Sequence, residues 1–249
     1  MGDRGDKKVA RWRSERLERE VTLVRWGHFG QPVLLFPTAG GDAEEIERFL
    51  LIDALGGLID AGRIKIYSCD SAAGRALLAR EGTARHQMWL QNQFHQYVRH
   101  ELVPAIRSDC ESQDTPIWAA GASIGAFHSV AMVCRFPDVF VRACAMSGTY
   151  DLRRFYDSGG DFSEDFWISS PVHFVPTLAG LHLDVLRTRF ILIASGEGRA
   201  EDIGESWNLA RVLGGQGIPN RVDSWGPDWP HDWQTWRQML PQYLGEWTK

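Results

Sequence analysis

The stretch Pro116 to Pro137, PIWAAGASIGAFHSVAMVCRFP, carries Gly121-Ala122-Ser123-Ile124-Gly125 at its centre. An uncharged apolar run, Ile117 to Ala120, leads into this centre, and a segment with helical spacing, Ile124 to Phe136, leads out of it. The pattern predicts a strand, a sharp turn and a helix. Glycines two before and two after the serine let strand and helix approach without clashing Cβ atoms, and leave the serine in a strained backbone conformation. Its hydroxyl then stands exposed at the carboxyl end of the strand. There it can attack a carbonyl, while the first helical amides face the oxygen that becomes negative.

Outward from this turn the chain alternates strands and helices. Val33 to Phe36 is a continuous apolar run, as expected of a strand covered on both faces, and it ends in Pro37-Thr38-Ala39-Gly40-Gly41. Asp42 to Ala61 has helical periodicity with Asp42 as N-cap, Arg63 to Cys69 reads as a strand, and Asp70 to Gly82 as a connection. Ala84 to Ile106 reads as a helix rich in aromatic and polar side chains, whose His95 and His100 are expected at the surface. His128, five residues after Ser123, is expected to pack rather than to act as a base. Val141 to Met146, Phe190 to Ala194 and Arg221 to Trp225 are further strands, with helices from Ile203 to Leu213 and at the C-terminus. Val9 to Arg13 and Glu20 to Trp26 read as an antiparallel edge. The expected architecture is α/β: a doubly wound, mostly parallel sheet with an antiparallel N-terminal edge and helices on both faces.

A chain of 249 residues with 44% hydrophobic and 24% charged residues fits one globular α/β domain, 1–249, with a flexible terminus over 1–8. The net charge of -5 argues against a nucleic-acid partner. Cys69, Cys110, Cys134 and Cys144 form no Cys-x-x-Cys pair, so no metal or redox motif is expected. The first twenty residues lack the apolar core of a signal peptide, and no run reaches membrane-spanning length, so the expectation is a cytoplasmic protein without a membrane partner. The tripeptide Arg4-Gly5-Asp6 is incidental in this setting.

A serine hydroxyl needs an imidazole to take its proton and a carboxylate to hold that imidazole. In a doubly wound sheet both come from loops after later strands, in the order serine, acid, histidine. His231 fits, since it lies between the last strand and the last helix in the loop Gly226-Pro227-Asp228-Trp229-Pro230-His231. For the acid the residues leave four choices: Glu197, Glu201 and Asp202 after the Phe190 strand, and Asp151 after the preceding one. Asp202 also suits a helix cap, with Glu205 three residues on. The amide of Ile124 and one from the loop after Phe36, at Ala39, are the expected oxyanion donors.

Phe36 to Gly41, Gly121 to His128, Ser147-Gly148-Thr149-Tyr150-Asp151 and Trp225 to Trp233 together resemble the putative-esterase family of α/β hydrolases. That group includes esterase D (S-formylglutathione hydrolase), enterochelin esterases, feruloyl esterases and mycolyltransferases. The resemblance runs from about Val9 onward and implies an α/β-hydrolase fold with a Ser-acid-His triad and no cofactor. Matched to the mycolyltransferase pattern, the acid falls at Asp202. Pro37-Thr38 departs from the His-Gly or Asp-Gly common in the first loop, with Ala39 left as the matching donor position.

The resulting expectation is a serine esterase that cleaves small-molecule carboxylic esters or thioesters through an acyl-enzyme. An acyltransferase with the same triad and a catalytically silent binding protein of the same fold are the alternatives. The irregular segment 151–186 carries Phe155, Tyr156, Phe162, Phe166, Trp167 and Phe174, and reads as an insertion over the active site. Phe162, Phe166 and Trp167, with Trp89 from the long helix, are the expected substrate contacts.

Overall fold

The computed structural model describes residues 6–249. Eight strands form one sheet: β1 (Lys8–Ser14), β2 (Arg19–Trp26), β3 (Gln31–Phe36), β4 (Ile64–Cys69), β5 (Ile117–Ala122), β6 (Phe140–Met146), β7 (Phe190–Ser195) and β8 (Asn220–Ser224). Their spatial order is β1-β2-β4-β3-β5-β6-β7-β8. β1 and β2 are the antiparallel edge, and every pair from β4 to β8 is parallel. The chain leaves β3 toward β4 on one side and returns as β5 on the other. The carboxyl ends of β3 and β5 therefore flank the topological switch point, where such sheets open a crevice.

Alternation along the central strands sends neighbouring side chains to opposite faces. Val33, Leu35, Trp118 and Ala120 join one core, and Leu34, Phe36, Ile117 and Ala119 join the other. The first core is closed by short helices α1 (Glu45–Arg48), α2 (Leu51–Ala54) and α3 (Gly56–Asp60) and by the C-terminal helix. The expected single helix over 42–61 is thus broken, with Leu50 in a left-handed conformation at φ 62 between α1 and α2. The second core is covered by α4 (Ala72–Leu78), α5 (Ala84–Tyr97), α6 (Val103–Asp109) and α7 (Ile124–Arg135). A π turn, Val98–Leu102, joins α5 to α6. Pro104 has no N–H to return to the carbonyl of His100, which accounts for the widened turn there.

α4 occupies part of the segment read as a connection. The insertion folds into α8 (Glu164–Ser169), α9 (Pro171–Phe174) and α10 (Gly180–Leu186), joined by short 3-10 turns. α11 (Ile203–Gly215) follows β7, and α12 (Trp233–Trp247) closes the chain. Of the terminus 1–8 expected to be flexible, residues 1–5 lie outside the described residues. Asp6 accepts from Arg25, Lys7 pairs with Glu44, and Lys8 begins β1. No helix among the described residues is long and apolar enough to cross a membrane.

Candidate active site

Ser123 stands between the last residue of β5 and the first of α7 with φ 58 and ψ -123, a strained conformation for a residue with a side chain. The flanking glycines make that turn sterically feasible. A Cβ on Gly121 would lie 2.3 Å from the Gly125 carbonyl oxygen, and one on Gly125 would lie 2.5 Å from that of Phe36. The second contact also shows that the first turn of α7 rests on the end of β3. The Ser123 amide donates to the Met146 carbonyl at 3.0 Å, tying the turn to the end of β6. As the first residue of α7, Ile124 has an amide with no acceptor inside the helix.

The loop after β3 is clamped from three directions. Gly125 packs on Phe36 and Pro37, and a Cβ on Gly74 of α4 would lie 2.8 Å from both the Cα and the carbonyl oxygen of Ala39. The carboxylate of Glu45, a buried residue, accepts from the Thr38 amide at 2.8 Å and from the Thr38 hydroxyl at 2.7 Å. Two of its acceptor positions are thereby met by one loop residue. Ala39 is held directly beyond it.

His231 lies in the loop after β8, its ring edge-on to Trp236 at 5.1 Å. Its Nδ1 is 3.5 Å from Oε2 of Glu201, whose side chain is 1% exposed. Two hydroxyls hold that carboxylate: Ser147 donates to Oε1, and Ser195 reaches Oε2 at 3.2 Å. The Ser147 oxygen in turn accepts from the Trp236 indole at 2.9 Å. The pairing of Glu201 with His231 follows from the way two loops zip together. Glu197 N–H donates to Gly226, Gly198 N–H to Trp229, and His231 N–H to Arg199. Gly196 and Gly198 allow this contact, since a Cβ on either would collide with the Trp229 carbonyl. Ala200 then turns the chain at φ 64, and Glu201 follows it inward.

Asp202, the acid implied by the family pattern, is placed elsewhere. It is exposed and caps α11, its Oδ1 accepting from the Gly204 amide at 3.0 Å. Its neighbour Glu201 meets His231 instead. Glu197 is exposed and bonded to the Ser224 hydroxyl, and Asp151 binds Arg153. Glu201 was visible in the sequence only as one of four acids.

Beside Ile124 lies a satellite apolar cluster of Met88, Phe127, Leu152, Tyr156 and Phe166, with Ala39, Leu77, Ala84 and Phe162 packed against it. Phe166 is buried there and Phe162 lies tilted against it, ring centres 4.7 Å apart, whereas Trp167 is half out in solvent with its indole donating to the Phe162 carbonyl. Trp89 is not part of that cluster. It lines a groove with Trp12, Arg13 and Arg16 of the first hairpin, because its place on α5 turns it away from Met88.

His95, expected at the surface, is fully buried and bonded to His128. Arg135 reaches the Nδ1 of His95 at 2.9 Å and donates to the Asn92 side chain at 2.8 Å, and Asn92 donates to Asp165 of the insertion. A guanidinium only donates, so His95 accepts at Nδ1 and carries its proton on Nε2, facing Nδ1 of His128. Burial, then the nearby Arg135 charge, holds the His95 pKa well below the ordinary value, and burial pushes His128 down to about 3. Among the described residues no group of three or more His, Cys, Asp or Glu side chains is arranged to hold a metal ion.

Comparison with solved structures finds the same fold at low identity. A ferulic acid esterase matches with a TM-score of 0.75 at 17% identity, covering 98% of both chains. An S-formylglutathione hydrolase from Agrobacterium tumefaciens matches with a TM-score of 0.69 at 13% identity, covering 97% of this chain and 94% of that one. A fluorophosphonate-binding serine hydrolase from Staphylococcus aureus has a TM-score of 0.69 at 12% identity and 98% coverage of both. A sequence search of curated proteins finds no match. The model of the family "Putative esterase" matches residues 60–246, three quarters of the chain and all of the strands from β4 to β8. The chain therefore belongs to that family, and it is a carboxylic-ester hydrolase of the α/β-hydrolase fold.

Proposed function

We propose that the enzyme cleaves small-molecule esters through an acyl-enzyme on Ser123, with His231 as general base and Glu201 as the acid that orients it. The observation that carries this reading is the Glu201–His231 pair in the loops after β7 and β8, following a strained serine after β5. With Nδ1 turned to Glu201, the Nε2 of His231 is the nitrogen that serves the serine. Ser123 Oγ adds to the ester carbonyl carbon as its proton passes to Nε2. The carbonyl oxygen becomes an oxyanion and takes hydrogen bonds from the Ile124 and Ala39 amides. Collapse breaks the bond to the alcohol oxygen, which leaves with the proton from His231. Water then repeats the sequence on the acyl-enzyme, releasing the acid and restoring Ser123.

Cys69, Cys134 and Cys144 are buried thiols and Cys110 is also free, which supports a reducing, cytoplasmic setting for this activity. The test is covalent labelling with a fluorophosphonate, followed by peptide mapping. Label is expected on Ser123, and Ser123→Ala is expected to lower kcat on the order of 10^6-fold. Label on another residue with Ser123 free overturns the reading.

A further inference from the structure

Between the α4–α5 connection and the start of the insertion lies a cavity of about 400 Å³, lined by Arg80, Thr83, Ala84, Gln87, Phe155 and Asp157. Its inner wall belongs to the catalytic neighbourhood. Ala84 packs against the apolar cluster of Ile124, Met88 and Tyr156, and Ala39 packs against the same cluster. The two proposed oxyanion donors and this cavity thus share one apolar floor.

Two polar groups in the cavity have no internal use. Gln87 is 8% exposed, yet its carboxamide makes no hydrogen bond among the described residues. Its polar atoms are not sealed from solvent, so they are open to the cavity and a ligand atom can meet them without displacing an internal partner. The guanidinium of Arg80, an exposed residue at the rim, has no ion pair or hydrogen bond among the described residues. Phe155, half in solvent, adds an apolar wall beside them. A forked cation, a carboxamide donor and an aromatic wall are together the complement of a carboxylate carried on a short apolar arm.

We infer that this cavity is a subsite for a free carboxylate on the substrate, so that the preferred esters are those of acid-tipped compounds. This rests on the proposed serine-esterase mechanism. Asp157 at the rim opposes an anion, and its effect is itself measurable.

The experiment compares matched esters. On the acyl side the pair is mono-4-nitrophenyl adipate and 4-nitrophenyl hexanoate; on the alcohol side it is the acetates of 3-(4-hydroxyphenyl)propanoate and 4-propylphenol. 4-Nitrophenyl acetate, which carries no free carboxylate, reports the basal activity. The wild-type enzyme is expected to favour the acid-tipped member of one pair by about tenfold or more in kcat/KM. Arg80→Met and Gln87→Leu should each remove most of that preference and leave acetate turnover and melting temperature unchanged. Asp157→Asn should increase it. Equal turnover of both members in both pairs, or a preference that survives Arg80→Met, overturns the subsite while acetate turnover keeps the mechanism standing. Absence of wild-type turnover on every ester overturns both.

Discussion

Glu201 and Asp202 are adjacent in the chain, yet their carboxylates serve different neighbours. Glu201 Oε2 lies 3.5 Å from Nδ1 of His231, and Asp202 Oδ1 accepts from the Gly204 amide at the start of α11. The two are separable by mutation. Glu201→Gln is expected to lower kcat/KM by roughly 10^4-fold, the effect of giving a triad histidine the wrong partner. Asp202→Ala should leave kcat/KM intact and cost about 1 kcal/mol of stability, as loss of an exposed N-cap does. Steady-state kinetics with urea denaturation of both variants decides it, and the reverse pattern would return the triad role to Asp202.

Ser147 stands between Glu201 and Trp236, donating to the first and accepting from the second. Its left-handed backbone, φ 49, directs it there from the end of β6. Ser147→Ala removes one of the two hydroxyls that stabilise the buried carboxylate. Glu201 is then held less firmly beside His231, and the Trp236 indole loses its acceptor. We expect kcat/KM to fall by roughly 10- to 100-fold, and Ser147→Thr, which keeps a hydroxyl, to recover part of it. A purely structural role would lower the melting temperature and leave kcat/KM unchanged.

Glu45 shapes the first loop from below through Thr38. Removing its carboxylate frees the segment that presents the Ala39 amide. Glu45→Ala should lower kcat by up to roughly 10^2-fold, with a smaller change in KM, as expected when an oxyanion donor is displaced. Glu45→Gln retains an acceptor for the Thr38 amide and should recover most of the activity. If both variants behave alike and match the wild type, the loop is held by Gly74 and Gly125 alone.

The His95–His128 pair gives stability a pH dependence. Both imidazoles are neutral in the fold and protonate in the unfolded chain near the ordinary histidine value, so below about pH 6.5 the unfolded state binds more protons. Their contribution is complete above that pH and is lost as pH falls toward the folded-state value, by up to ~1.4 kcal/mol per pH unit for each histidine. Urea midpoints between pH 7 and pH 5 should show this slope. His128→Leu should flatten it by about half; an unchanged slope would assign it to other groups.

Among the expected substrate contacts, Phe166, Trp167 and Trp89 now separate by position. Phe166→Ala should cost roughly 3 to 5 kcal/mol of stability, because the ring is fully buried against Met88 and Phe127. Trp167→Ala, at the solvent face of the insertion, should change acyl or alcohol preference in kcat/KM with little effect on stability. Trp89→Ala should leave ester preference unchanged, since that ring lies in the hairpin groove. A preference shift in Trp89→Ala would show that the groove takes part in binding.

Elements whose physics is local are legible in the order of the amino acids. Five residues encode the turn at Ser123, because two missing Cβ atoms and a strand-helix junction are all the geometry requires. The buried parallel strands were legible as apolar runs, and the position of His231 in the loop between the last strand and the last helix from chain order alone. Relations between distant segments were decided only by the tertiary structure. Glu201 and Asp202 are equivalent by type and spacing, and the backbone zipper between the loops after β7 and β8 selects the one that faces His231. His95 reads as a surface residue because burying a lone imidazole is unfavourable, and the partners that permit its burial, His128 and Arg135, arrive on another helix. Trp89 and Met88 are neighbours with a similar apolar character. The packing of α5 between hairpin and insertion turns one toward Ile124 and the other toward Trp12, and no one-dimensional pattern carries that information.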